Sequence, residues 1–320
     1  MKTRIIGRNE VEKLLAMPDV LAAVEKAFAS EYEMPPKVYL PLEKYGGDFR
    51  AMPAWLDPYC GVKWVNVHPG NPKKFGLPTV MATYILNDPK NALPLAVMDA
   101  TLITNFRTGA AGGVATKHLA NPDAGTLGLI GAGAQARTQA MAIVLARKIR
   151  QVRVFDLNAA KCEAFKEQMR PLLGCEVSVA QSAKEACDAD VISTCTPARG
   201  PVVFKEWIRP GTHINAIGAD APGKQELDPA ILQSAKIVVD NWEQASHSGE
   251  INVPLGKGLI SRENIAAEMK EVVRGKAVRK SKGDITLFDS TGLAVQDVAT
   301  AALVYEQARR KKIGTEVDLV

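Results

Sequence analysis

Residues 126–136, Thr-Leu-Gly-Leu-Ile-Gly-Ala-Gly-Ala-Gln-Ala, carry the reading on which the fold turns. The apolar run Leu127–Ile130 leads directly into Gly131-Ala132-Gly133-Ala134-Gln135-Ala136, and a helix-like stretch, Gln135–Arg147, follows. Strand, glycine turn and helix in this order are the parts of a dinucleotide-binding turn. Gly131 permits the tight bend, Gly133 lets backbone approach a pyrophosphate, and the small Ala136 lets the helix pack close to the sheet. Free N–H groups at the helix start then face the phosphates. Asp156 lies 20 residues beyond Ala136 and ends the next strand-like run, Val-Arg-Val-Phe-Asp. An acid at that place accepts hydrogen bonds from the adenine ribose and repels a 2′-phosphate, so the expected cofactor is NAD rather than NADP.

Outward from this motif, short apolar runs alternate with helix-like stretches or turns. TLGLIG, VRVFD, EVSVA, VISTCT, HINAIG and KIVVD make six such runs. Parallel neighbours need crossover connections, so the pattern predicts a doubly wound α/β domain of Rossmann type, its parallel sheet covered by helices on both faces. Upstream the pattern differs. A helix capped by Asn9, with Glu12 as its capping-box partner, is interrupted near Pro18 and resumes with Val20, Leu21, Val24 and Phe28 on one face. Gly61–Val67, Thr79–Leu86 and Leu93–Met98 then read as strands of a meandering sheet, in an α+β unit that ends near Thr108–Gly113. The last strand-like run, Ile285–Phe288, precedes a helix over Leu293–Arg310 that either finishes the second domain or returns to cover the first.

With 320 residues and 47% hydrophobic content, the chain has apolar material for two cores. No stretch reaches the roughly 20 apolar residues of a membrane helix, and the opening MKTRIIGRNE turns polar too soon for a secretory leader. A soluble, cytoplasmic protein is expected. Cys60, Cys162, Cys175, Cys187 and Cys195 contain no C-x-x-C pair and read as buried thiols of a reducing compartment. The histidines show no metal-ligand spacing, so no metal is expected, and His68 reads as a structural or supporting residue. A net charge of +5 is too small for a nucleic-acid partner, and the basic run from Lys270 to Lys282 has no interleaved aromatics to stack on bases. Nucleophile-elbow and phosphate-loop motifs are missing, which removes acyl and phosphoryl transfer.

Three cations sit inside apolar or turn-like runs: Arg50 in FRAMPAW, Lys63 in GVKWVNV and Arg107 in LITNFRTGA. Such placement asks for an anionic partner, either an internal carboxylate or that of a small substrate. In the second domain Asp220 ends the strand HINAIG, where an open parallel sheet places its ligands, although the same residue could simply cap a turn. Lys224 follows, available to the cofactor or to an acid, and Thr196 ends an earlier strand on the same presumed edge.

These motifs together resemble the ornithine cyclodeaminase and mu-crystallin family, and within it the archaeal alanine dehydrogenase branch. The resemblance runs through FRAMPAW, GVKWVNVHPGNP, GLPTVMA, PLAVMDA, FRTGAAGG, GAGAQA, HINAIGADAPGKQELD, GEINV and FDSTGLAVQD, nearly the whole chain in the family's order. It implies that Arg50, Lys63 and Arg107 bind a substrate carboxylate and that Lys63 and Asp220 are catalytic. It also implies NAD contacts at Thr79, Arg107, Thr108, Gly131, Gly133, Ala134, Gln135, Asp156, Thr196, Ile217, Gly218, Ala219, Asp220, Lys224 and Ser290. The implied architecture is a substrate-binding and dimerisation domain, 1–113 with 293–320, a NAD-binding Rossmann domain, 114–292, and a homodimer.

The expected chemistry is hydride transfer from the α-carbon of a small amino acid to NAD, with Asp220 taking a proton and Lys63 sharing in proton traffic. NVHPGNP is closer to the alanine dehydrogenases than to the cyclodeaminases, which favours L-alanine over L-ornithine. Ornithine cyclodeamination, reduction of cyclic ketimines, and NAD-dependent binding of a small ligand without turnover are the alternatives.

Overall fold

A computed structural model of the chain describes Lys2–Leu319. Met1 and Val320, the outer ends of the expected first domain, lie outside the described residues. The chain divides into two units, one made of residues up to Arg107 together with those from Leu293 onward, the other of Thr108–Gly292.

The first unit is built on seven strands: β1 (Thr3–Ile6), β2 (Val38–Leu42), β3 (Gly47–Leu56), β4 (Tyr59–Val67), β5 (Val80–Asn87), β6 (Pro94–Asp99) and, from the C-terminus, β17 (Thr315–Val317). Their order is β17-β1-β6-β5-β4-β3-β2. From β2 to β6 each neighbour runs antiparallel, a meander, and β1 joins β6 in parallel. Alternation of period two puts Asp48, Arg50, Met52 and Ala54 of β3 on the inner face, with Lys63 and Val65 of β4 beside them. The helix Ala294–Lys311 packs on this face through Ala294, Val298, Ala301, Val304 and Ala308, closing a core with Met52, Tyr84, Leu86 and Met98.

The N-terminal helices are Arg8–Leu14 and Met17–Ala29. The first is capped two residues earlier than its sequence suggests. Gly7 is the cap, and Glu10, rather than Glu12, reaches back to its N–H at 2.7 Å. Asn9 instead lies inside the helix, because β1 ends at Ile6 and leaves only Gly7 for the turn.

The second unit carries β7 (Thr126–Ile130), β8 (Gln151–Phe155), β9 (Glu176–Val179), β10 (Val191–Thr194), β12 (His213–Ala216), β14 (Lys236–Val239), β15 (Ile265–Glu268) and β16 (Thr286–Asp289). A small parallel pair, β11 (Arg199–Val203) and β13 (Gln225–Leu227), stands apart. The eight form one parallel sheet in the order β15-β14-β16-β12-β10-β7-β8-β9, the doubly wound architecture read from the sequence. Strands β10, β12 and β16 are buried at every position, as expected where both faces are covered. Two apolar clusters flank the sheet, one around Ile192, Ile214 and Leu287, the other around Leu129, Val154 and Phe165.

The glycine-containing stretch around Arg107 is not a turn. It lies inside the helix Thr101–Leu119, where a Cβ at Gly112 would sit 2.0 Å from the Gln139 side chain. The glycine there serves close helix packing rather than a bend. No helix among the described residues is long and apolar enough to cross a membrane, and none of their His, Cys, Asp and Glu side chains form a group suited to a metal ion.

Candidate active site

In the first unit the three cations singled out from sequence share one face. Lys63 and Met52 are paired across β4 and β3, and Arg50 lies two residues from Met52 on the same side, so Arg50 and Lys63 are diagonal neighbours. Lys63 is fully buried, with Nζ 2.9 Å from Oδ1 and 2.8 Å from Oδ2 of Asp297. Arg107 Nε donates to the same Oδ1 at 3.0 Å, and its Nη1 donates to Gln296 Oε1 at 3.0 Å. Asp297 has no solvent exposure and lies in the first turn of the helix Ala294–Lys311, where the helix dipole favours an anion.

Arg50 is held separately by Asp48, Nε to Oδ1 at 2.8 Å and Nη2 to Oδ2 at 3.2 Å, and stacks over the Tyr39 ring. All three cations thus have internal carboxylate partners, the pairing that their apolar surroundings left open. Asp48 serves Arg50, whereas the single carboxylate of Asp297 serves both Lys63 and Arg107. Burial, and then the Arg107 charge, pull the Lys63 ammonium down to a pKa of about 7 against the attraction of Asp297. Tyr84, opposite Lys63 on β5, is also fully buried, and its hydroxyl has no hydrogen-bond partner among the described residues. Burial, and then Asp297, hold that phenol well above its usual range, so it is a neutral group. Thr79 lies just before β5, its carbonyl accepting from the His68 N–H at 2.8 Å. His68 packs edge-on against Phe49, a structural placement.

In the second unit the residues expected to meet the cofactor collect along one edge. Gly131 follows β7, Asp156 follows β8, Thr196 lies beyond β10, Ile217–Asp220 follow β12, and Ser290 follows β16. These five strands are contiguous in the parallel sheet, so their carboxyl ends form one row, with the reversal of strand order between β7 and β10 at its middle. Gly131 takes φ +101° and sits against the Cys195 carbonyl, a position an L side chain would strain.

Gly133 is different. It caps the helix Ala134–Ala146 at φ −82°, and a Cβ there would meet nothing within 4 Å. The protein's own packing gives no reason for glycine at 133, whereas a phosphate resting on the helix N-terminus would. Ala136 is fully buried on the sheet side, and Ala134 and Gln135 lie on the first turn toward solvent. Asp156 Oδ2 accepts from Ala132 N–H at 3.0 Å, which fixes the acid against the glycine turn. These residues fit a dinucleotide. Thr108 is buried, and its carbonyl accepts from Gln139. Asp220 pairs with Lys224 at 2.6 Å, and the Ser290 hydroxyl is buried without a hydrogen-bond partner among the described residues.

Two carboxylates at these sites escaped the sequence reading. Asp297 looked like an ordinary polar position of a helix, although the apolar spacing of Ala294, Val298 and Ala301 puts it next to the buried face. Glu226, on β13, is fully buried and accepts from Thr194 Oγ1, Thr196 N–H and Gly218 N–H, each at 2.7 Å. It therefore ties the loop after β10 to the loop after β12. Burial raises its pKa, and the three donors oppose that rise.

Comparison with known proteins matches this architecture across its length. The model of the "Ornithine cyclodeaminase/mu-crystallin family" covers residues 1–312. The chain is similar to an alanine dehydrogenase of Archaeoglobus fulgidus, 52% identical over 322 residues, covering 99% of this chain and 98% of that protein. Among solved structures it is similar to an archaeal alanine dehydrogenase dimer with bound NAD, at TM-score 0.96 and 51% identity, with 100% of both chains covered. It is also similar to the Delta(1)-pyrroline-2-carboxylate reductase of Thermococcus litoralis in complex with NADH and L-proline, at TM-score 0.96 and 41% identity, covering 98% of this chain and 100% of that one. A dinucleotide turn in one unit, a buried cation group in the other and a family match over nearly every residue make one statement: the chain belongs to the ornithine cyclodeaminase/mu-crystallin family.

Proposed function

We propose that this chain is an NAD-dependent amino-acid dehydrogenase acting on L-alanine: L-alanine, NAD and water give pyruvate, ammonium, NADH and a proton. The observation that carries the reading is the buried Lys63–Asp297–Arg107 group, whose excess positive charge suits a small molecule ending in a carboxylate, in a chain 52% identical to an alanine dehydrogenase. Arg50, Lys63 and Arg107 hold the substrate carboxylate, and fixing that end orients the α-hydrogen. Lys63, with a pKa of about 7, can hold or release a proton near neutrality, the property a general acid or base needs. Asp220 takes the proton of the water that adds to the imine carbon. The turn at Gly131 and Gly133, with Asp156, binds the dinucleotide, and the row of strand ends from Thr196 to Ser290 completes its site. Bound NAD supplies the hydride acceptor.

A second reading, reduction of a cyclic imine such as pyrroline-2-carboxylate, is favoured by the likeness to the L-proline complex. The cation group suits either carboxylate. Purified protein given NAD and L-alanine should form NADH, and should form none with L-ornithine or L-proline. NADH consumption with pyrroline-2-carboxylate, and none with pyruvate plus ammonium, would replace the first reading by the second.

We also propose a homodimer in a reducing, cytoplasmic setting. The outer face of the seven-stranded sheet leaves Val38, Leu40, Trp64 and Ile85 exposed on one side, a surface a second copy would cover. All five cysteines are free thiols.

A further inference from the structure

Among the described residues Asp297 is the acid that pairs with both Lys63 and Arg107, and nothing in the packing of its helix calls for a charge. Its apolar neighbours on the buried face are Ala294, Val298, Ala301 and Val304, and the buried polar ones beside it, Gln296 and Thr300, are uncharged. Replacing a buried ion pair by packed hydrophobic residues is often neutral or stabilising, so a fold selected for stability alone has little use for this cluster. The stoichiometry is also incomplete. One carboxylate serves two cations, while Arg50 nearby has a carboxylate of its own in Asp48. A buried excess charge is costly until an anion arrives. Arg107 commits Nε to Asp297 and Nη1 to Gln296, which fixes the plane of its guanidinium and leaves Nη2 for a ligand.

We propose that Asp297 is a positioning residue of the reaction: by gripping Lys63 Nζ and Arg107 Nε on one carboxylate, it holds the two cations as a preformed receptor, one negative charge short of balance, for the carboxylate of the substrate. It acts through Lys63 and Arg107. The inference rests on the reading of this site as a carboxylate site, and it deepens that reading by naming what keeps the cations in place. The same contact governs the proton affinity of Lys63. Facing that amine are Asp297 from the C-terminal helix, Arg107 from the helix Thr101–Leu119, Tyr84 from β5, Arg50 from β3 and Lys37 from the segment before β2. Of these, Asp297 is the group that draws the Lys63 pKa upward, opposing burial, Arg107 and Lys37.

The test uses the full chain, with Asp297→Asn as the near-isosteric variant and Asp297→Glu as the conservative one. In protein labelled at lysine Cε, the Lys63 resonance, assigned with Lys63→Arg, is titrated by NMR without cofactor or substrate. In Asp297→Asn that titration should move to lower pH by about one unit or more. The KM for the amino acid should rise at least about tenfold while the NADH dissociation constant stays within about threefold, since a tenfold change already corresponds to a lost interaction. Asp297→Glu should restore the wild-type titration. An Asn variant with an unmoved Lys63 titration and an unchanged KM would overturn the proposal. If that variant does not fold, Asp297→Glu decides: the retained charge displaced by one methylene should raise KM at least about tenfold, and an unchanged KM overturns the role. The NMR arm needs no turnover. Should the wild-type protein oxidise no alanine, the substrate reading fails while the claim about Asp297 is still decided.

Discussion

An alanine at position 133 places a methyl group where no atom of the protein lies within 4 Å, on a residue whose φ of −82° any amino acid adopts. Two small effects act on the folded chain. Removing a glycine reduces the freedom of the unfolded state, a gain of about 0.4–1 kcal/mol. Glycine is also the better residue at a helix N-cap, so alanine there loses about 0.5–1 kcal/mol. The two offset to within about 1 kcal/mol, and a unit of this size should melt within about 3 °C of the wild type. Ligand binding is affected differently. A methyl group between the helix N-terminus and a pyrophosphate pushes the phosphates off the N–H groups, and each charge-assisted hydrogen bond lost is worth about 1.5–3 kcal/mol. NADH affinity should therefore fall by about ten- to a hundredfold. Fluorescence titration with NADH and a thermal melt on the same Gly133→Ala sample read the two quantities. Wild-type affinity would remove the phosphates from this turn, and a melting loss of about 10 °C or more would make the glycine structural, contrary to the open space around it.

Gly218→Ala is the complementary case, because its Cβ would lie 2.1 Å from the Thr196 carbonyl and 2.6 Å from the Glu226 carboxylate. Overpacking of this kind costs about 1–3 kcal/mol, and NADH affinity should fall together with stability, checked by denaturant unfolding and titration. Lys63 gives the stability a pH dependence whose sign is fixed. With a folded pKa of about 7 against about 10.4 in the unfolded chain, unfolding takes up a proton between those values. The stability contributed by this group therefore rises with pH across that window, and Lys63→Met should abolish that part of the rise in urea midpoints measured from pH 7 to 10. Trp64→Glu on the outer face of β4 should shift the chain from dimer to monomer in light scattering without lowering NADH affinity in the second unit, and an unchanged mass would move the proposed interface elsewhere.

The second unit was the more legible half because most strands of its parallel sheet are local apolar runs, β15 with its short Ile-Ala-Ala-Glu being the one that went unread, and the glycine turn comes with its strand, helix and acid in sequence order. In the first unit β3 went unread. Its inner face alternates Asp48 and Arg50 with Met52 and Ala54, so half of the buried positions look polar, and Pro53 interrupts the run. Gly112 disguised a helix as a turn because its reason for being small is a neighbour, Gln139, distant in sequence. The candidate cations were legible as misplaced charges. Asp297 was not, since it lies 234 residues from Lys63 and no local pattern reports a pairing of that range.

That separation bears on how the molecule comes off the ribosome. The unit that holds Lys63 and Arg107 is discontinuous, and the helix Ala294–Lys311 and β17 that complete it are made after the whole of the second unit. Domains fold as units during synthesis, and the sheet that follows β7 is encoded without interruption. The second unit can therefore mature while the first waits, its lysine and arginine without their shared counterion until the residues from Leu293 onward emerge. A nascent chain that has reached only Gly292 carries the glycine turn but lacks Asp297, so the Lys63–Asp297–Arg107 group assembles only after the second unit has been made.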